Sequence, residues 1–191
     1  MKPTYILTFA LALFTFISSA DAQSKAEKRE ARKQERLEKK RQREQAIEEG
    51  KTVALELANE QAFVLEADAL YDRYMNRYNM VSNSFILLDG DRVVLQTAAP
   101  GYFGYNGLGG ITLNGKLVDY EVTEGKKGKP LRINAQLNTT ALGHGTLNMT
   151  ISGNGNAQAT FRDSWGNRIT FSGQVNSLDN SVIYEGMSIF G

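Results

Sequence analysis

The sequence predicts an all-β domain, an antiparallel meander of about eight strands forming a sandwich or a partly open barrel, preceded by an N-terminal charged helix. Three observations carry this. From residue 62 onward apolar and polar residues alternate, with Leu131, Ile133, Ala135 and Leu137 on one parity and Arg132, Asn134, Gln136 and Asn138 on the other. Such alternation gives each strand one dry and one wet face, the antiparallel pattern. Short turns, among them Asp89-Gly90-Asp91, Gly153 to Asn156 and Gly166-Asn167, separate consecutive runs. They leave no room for the crossovers of about a dozen residues that parallel strands need. Before residue 62 the chain is rich in helix formers instead, with ten Lys or Arg and five Glu between Gln23 and Ala46.

Residues 1–22 have the layout of a secretion signal. Lys2 gives a positive start, Ile6 to Ile17 is apolar apart from two threonines, and Ala20-Asp21-Ala22 supplies the small-x-small site for cleavage after Ala22. The apolar run falls well short of the roughly 20 residues that span a bilayer. The mature chain is therefore expected to begin at Gln23, to lack a transmembrane span, and to be secreted, periplasmic or extracellular. No cysteine follows the run, so a lipid anchor on cysteine is excluded.

Residues 23–61 form the helix. Glu35 and Lys39 are spaced i,i+4, and Glu30 and Lys33 i,i+3, both favourable on a helix surface. An apolar stripe is missing, because only Ala26, Ala31 and Leu37 are non-polar between Lys25 and Gln45, so no coiled-coil seam can be written. Gly50 is a weak point. After it Val53, Ala54, Leu55, Leu57 and Ala58 make the first apolar face, which is expected to dock on the domain. The basic part, residues 23–49, is expected to be a solvated spacer, or to contact an anionic envelope surface or a protein partner. A secreted chain is not expected to meet nucleic acid.

Residues 62–191 form the β domain. Strands are expected near 62–70, 83–89, 92–98, 110–123, 130–139, 145–152, 157–163 and 168–176. The fourth changes phase, since Ile111 and Leu113 lie on one parity and Val118, Tyr120 and Val122 on the other, which places a β-bulge near Gly115. Ser181 to Gly191 fits either a last edge strand or a short covering helix. Lys126, Lys127 and Lys129 mark an exposed turn.

Composition excludes much chemistry. With no cysteine there is no disulfide, thiolate nucleophile or thiolate metal site, and one histidine, His144, cannot build a multi-histidine metal centre. His144 lies in Ala141-Leu142-Gly143-His144-Gly145, a hairpin loop with no nucleophile or carboxylate to orient it. Asp89 and Asp91 flank a hairpin turn and lack the further oxygen ligands of a calcium loop. Asp119 and Glu121 face solvent, and with Glu124 they form an acid–base site only if another carboxylate faces them. No catalytic residue, metal site or cofactor is therefore expected. The segment Pro100 to Gly110 is too poor in Lys, Ser and Thr for a phosphate cradle. Its glycines present Tyr102, Phe103 and Tyr105 beside Asn106, either as a ligand surface that stacks on sugars or lines an apolar pocket, or as a plug in one end of the domain. Trp165, in the Ser164 to Asn167 turn, carries the same two readings.

The order of these features resembles one family. A signal peptide, a Lys/Glu-rich helix, an Asn-x-Phe strand, Asp89-Gly90-Asp91, a glycine-rich loop ending Gly109-Gly110-Ile111-Thr112, and later Gly115, Tyr120 and Ile169-Thr170-Phe171-Ser172-Gly173 are similar to the secreted bacterial family known as domain of unknown function 4251. The likeness runs from about Phe63 to the last strand. It implies a β domain at an envelope or extracellular site, and it transfers no functional residue. The expectation is a non-enzymatic secreted β domain that binds a small ligand, glycan or envelope component through Tyr102, Phe103, Tyr105 and Asn106. The alternative is a structural or assembly protein that uses its helix to contact a partner or an anionic envelope surface. A pocket beside Tyr102 would favour binding, a side-chain-filled interior would argue against it, and two facing carboxylates would favour an enzyme.

Overall fold

The computed structural model describes residues 4–79, 83–98, 106–126 and 129–188, with backbone alone for 4–26. One helix, α1 (Thr4–Glu60), precedes nine strands. By contacts the chain forms two compact units, Met1–Gln45 and Ala46–Gly191.

In the first unit every residue from Glu27 on is exposed. Lys39 pairs with Glu35 at 2.7 Å and Lys40 with Glu44 at 3.8 Å, solvated contacts worth about 0.3–0.5 kcal/mol each. The apolar run Ile6 to Ile17 belongs to the segment without described side chains. Among the described residues no helix is long and apolar enough to cross a membrane.

The second unit holds the strands β1 (Ala62–Tyr71), β2 (Arg77–Asn79), β3 (Phe85–Asp89), β4 (Arg92–Gln96), β5 (Thr112–Thr123), β6 (Leu131–Thr139), β7 (Gly143–Ile151), β8 (Asn156–Asp163) and β9 (Arg168–Ser177). All neighbours are antiparallel in the order β2-β1-β3-β4-β5-β6-β7-β8-β9, and β1 also pairs with β9 from Phe63↔Ser177 to Tyr71↔Thr170. That last ladder closes eight strands into a barrel, with β2 as one extra strand beside the end of β1. Closure removes the free edges of the eight barrel strands and leaves β2 as the one edge strand among the described residues.

Inward residues fill the barrel. Phe63, Leu65, Leu88, Leu137, Met149 and Phe171 are all at most 2% exposed and belong to one core cluster. Burying each such side chain contributes about 1.5–3 kcal/mol. Outward residues of β6, β7 and β8 are polar and exposed, as the alternation requires. In β5 the register shifts between Leu117 and Asp119, so the bulge expected at Gly115 lies instead at Val118. Leu117 and Tyr120 both pack toward the core, and the extra residue between them must leave the ladder. His144 is not in the hairpin loop but in β7, exposed opposite Asn138.

The last turns of α1 cover one end of the barrel. Ala54 and Ala58 are buried in its core, and the Tyr120 hydroxyl donates to the Ala58 carbonyl at 2.7 Å. Burial pushes the Tyr120 phenol above its ordinary range. Lys51 reaches Glu124 at 3.0 Å and the Gly125 carbonyl at 2.9 Å. Gly50 has a specific reason here, because a Cβ on it would lie 2.0 Å from the Gly153 carbonyl oxygen. The helix crosses the β7–β8 turn at backbone contact. Val53, expected on the docking face, is exposed instead.

The C-terminal segment is neither strand nor covering helix in its described part. After a 3₁₀ turn, Leu178–Asn180, it runs as an irregular strap along the outer face of β1, β3 and β4. There Leu178 and Ile183 cover a second apolar cluster of Val64, Phe85, Leu87 and Val94. Buried Gln96 fastens the strap: its amide donates to the carbonyls of Asn83 and Tyr184, and its oxygen accepts from Gly186 N and the Thr112 hydroxyl, all at 2.8 Å. Arg92 adds a bond to Glu185 at 2.7 Å. These bonds explain why an extended segment with little secondary structure lies ordered on the sheet.

Candidate functional site

In a meander the turns fall alternately at the two ends of the barrel. The helix occupies the end with the β3–β4, β5–β6 and β7–β8 connections, through Gln61 to Gly90, Lys51 to Glu124 and Gly50 to Gly153. The opposite end carries the β1–β2 turn, the long β4–β5 loop, and the β6–β7 and β8–β9 turns. No helix caps it among the described residues, and it is the candidate functional end.

Tyr102, Phe103 and Tyr105, between β4 and β5 in sequence, lie outside the described residues. Asn106 is described, and it organises the loop from within. It is 2% exposed, its amide donates to the Thr97 carbonyl at 2.9 Å and the Thr112 hydroxyl at 3.3 Å, and its oxygen accepts from Leu108 N and Gly110 N. Its carbonyl also accepts from Met187 N of the strap. With both ends of the amide engaged inside the chain, Asn106 has a sufficient structural role, and the expected polar ligand contact has no free group there.

Two other turns at this end share one construction. In β1–β2, the Asp72 carboxylate accepts from Tyr74 N at 2.8 Å, Asn76 N at 2.9 Å and the Asn76 amide at 2.8 Å. In β8–β9, the Asp163 carboxylate accepts from Trp165 N at 3.0 Å, Asn167 N at 2.8 Å and the Asn167 amide at 2.8 Å. Backbone bonds match as well: Met75 N to Asp72 O and Gly166 N to Asp163 O close each turn, while Asp72 N to Asn76 O and Asp163 N to Asn167 O join its flanks. The fourth residue is left-handed in both, Met75 at φ 66° and Gly166 at φ 85°, as a three-residue hairpin loop demands. The third residue is a large ring, and Tyr74 and Trp165 are each 69% exposed.

The two turns are neighbours. β9 pairs with β1, so the hairpin axes lie two strand spacings apart, about 10 Å. The Arg168 guanidinium donates to the Arg73 carbonyl at 3.1 Å and ties one turn to the other. Arg73 lies over the Tyr74 ring, 4.6 Å from its centroid, and also donates to the Tyr74 hydroxyl. The Asn76 amide bond, with backbone donors behind it, holds the Asp72 carboxyl below its ordinary range.

Among the described residues the inward side chains of the barrel are packed to near-zero exposure and leave no room for a ligand between them. What remains for chemistry at this end is its surface. Trp165, with plug and surface as its two readings, is a surface residue. Tyr74 was missed by sequence reasoning, yet a signal exists. Asp72-Arg73-Tyr74-Met75-Asn76-Arg77 and Asp163-Ser164-Trp165-Gly166-Asn167-Arg168 share the pattern Asp-x-aromatic-x-Asn-Arg. Among the described residues no three His, Asp or Glu side chains converge in a way that could hold a metal ion.

The sequence profile described as Domain of unknown function (DUF4251) matches residues 44–175, from the docking turns of the helix to the last strand. The chain belongs to the DUF4251 family. That agrees with the resemblance carried by Asp89-Gly90-Asp91 and the Gly109 to Thr112 motif. A crystal structure of a DUF4251 family protein from Bacteroides eggerthii is similar at 29% identity, with a TM-score of 0.54 over 69% of this chain and 90% of that chain. No curated protein matches the chain.

Proposed function

We propose that this DUF4251 protein is a secreted, non-enzymatic recognition domain that contacts a ligand or envelope component with the barrel end opposite the helix. One observation carries the reading. Two large aromatic rings, Tyr74 and Trp165, stand 69% exposed on matched, internally hydrogen-bonded turns at that end. Rings with a polar edge, held on turns that lose little entropy on binding, are suited to stacking contacts. The chemistry for an alternative is thin: the chain has no cysteine, and its one histidine is exposed in a strand. Secretion rests on the Lys2 to Ala22 pattern, and recovery of the mature protein with Gln23 at its N-terminus is the check. The exposed helix 27–49 is the attachment segment in this reading, with binding to anionic vesicles that weakens as salt is added.

The test is a map of contacts by NMR on the isotope-labelled chain, titrated with a soluble bacterial envelope extract. Shift changes within residues 72–78 and 163–168 are expected. Changes confined to residues 46–60 or to the strap at 178–188 would overturn the assignment of the contacting end.

A further inference from the structure

The geometry points to an acidic oligosaccharide as the ligand of the paired aromatic turns, with Tyr74 and Trp165 as its stacking platforms and arginines as its anion contacts. The inference rests on the proposed recognition role of this barrel end and specifies its chemistry.

Three features select the class. The two rings belong to turns about 10 Å apart, a span that a short chain of sugar rings covers, and each presents its ring from a position fixed by an Asp and an Asn. Arg73, Ser164 and Arg168 of these turns are polar, and Arg168 donates to the Arg73 carbonyl across the gap. A protein-binding hot spot centres on packed apolar residues with charge depleted. Here Tyr74, Met75, Tyr78 and Trp165 are exposed among Arg73, Arg77 and Arg168, with Arg73 over one face of the Tyr74 ring. That mixture suits a ligand with ring faces, hydroxyls and anionic groups. Charge then decides between neutral and acidic sugars. Asp72 and Asp163 are engaged by their own turns, while Arg73, Arg77, Arg162 and Arg168 pair with no carboxylate among the described residues. Arg162 and Arg168 are directly opposite each other in the β8–β9 ladder, and like charges in that relationship destabilise a sheet. A carboxylate-bearing ligand relieves that repulsion.

The test is calorimetric titration of the full chain with tetragalacturonate, and with maltotetraose as the neutral control. Tetragalacturonate is expected to bind, with affinity falling as salt rises. Tyr74→Ala and Trp165→Ala, both at exposed positions that leave the fold intact by circular dichroism, each raise the dissociation constant about tenfold. Trp165→Phe restores most of the loss, and Arg77→Gln weakens tetragalacturonate binding and flattens its salt dependence. Equal binding of maltotetraose, or no binding of tetragalacturonate, would overturn the acidic class. If envelope extract still shifts residues 72–78 and 163–168 in that case, the recognition role stands and only the ligand class falls.

Discussion

Arg168 donates a hydrogen bond to the carbonyl of Arg73, and through it the β8–β9 turn holds the β1–β2 turn. The bond joins the two rings into one surface, so Arg168→Ala is expected to act on binding more than on stability. The bond is exposed and is worth about 0.5–1.5 kcal/mol. Denaturant unfolding should therefore move little, while NMR relaxation at Tyr74 and Met75 reports a looser turn.

Asp163 is nearly buried and satisfies three donors. Asp163→Ala leaves Trp165 N, Asn167 N and the Asn167 amide without their acceptor, at a cost of about 1–3 kcal/mol. Denaturation midpoints measure it, and Trp165 emission should shift before global unfolding.

Asp72 is partly exposed and reports through pH. Its carboxyl is held below the ordinary range, chiefly by the Asn76 amide. A depressed carboxyl favours the folded turn above its unfolded value, and that preference is lost as pH falls through the lowered one. The Met75 amide resonance should thus keep its native position through mildly acidic pH and move only below the usual carboxylate range.

Met75 occupies the left-handed region that Gly166 occupies in the partner turn. A non-glycine residue there costs about 1–2 kcal/mol, part of which glycine's greater freedom in the unfolded chain offsets. Met75→Gly is expected to stabilise the protein by about 0.5–1 kcal/mol in thermal unfolding, and Gly166→Met to destabilise it by a similar amount.

Gln96, fully buried, holds the C-terminal strap by two hydrogen bonds, to Tyr184 and Gly186, and is itself fixed by two more, to Asn83 and Thr112. Gln96→Ala should release residues 183–187 and uncover Val64, Phe85, Leu87 and Val94. Increased binding of an apolar dye at unchanged barrel circular dichroism is the expected readout.

The barrel strands were legible because their alternation is a local signal, and Leu131 to Thr139 shows it without interruption. Closure was not, since the pairing of Phe63 with Ser177 joins residues from opposite ends of the domain and leaves no trace in either strand. β2 escaped because Arg77, Tyr78 and Asn79 are all exposed and carry no period. Asn106 stood out as polar beside aromatics, but its environment is the loop's own backbone. The Asp-x-aromatic-x-Asn-Arg pattern was present in plain sequence. Its meaning needed the observation that β9 lies beside β1.

Trp165 is the single tryptophan, and its emission tests ligand contact at this end most directly. Titrating the full chain with tetragalacturonate should change that emission saturably, with the midpoint moved about tenfold higher by Tyr74→Ala. Emission unchanged by both tetragalacturonate and envelope extract would contradict ligand contact at Trp165.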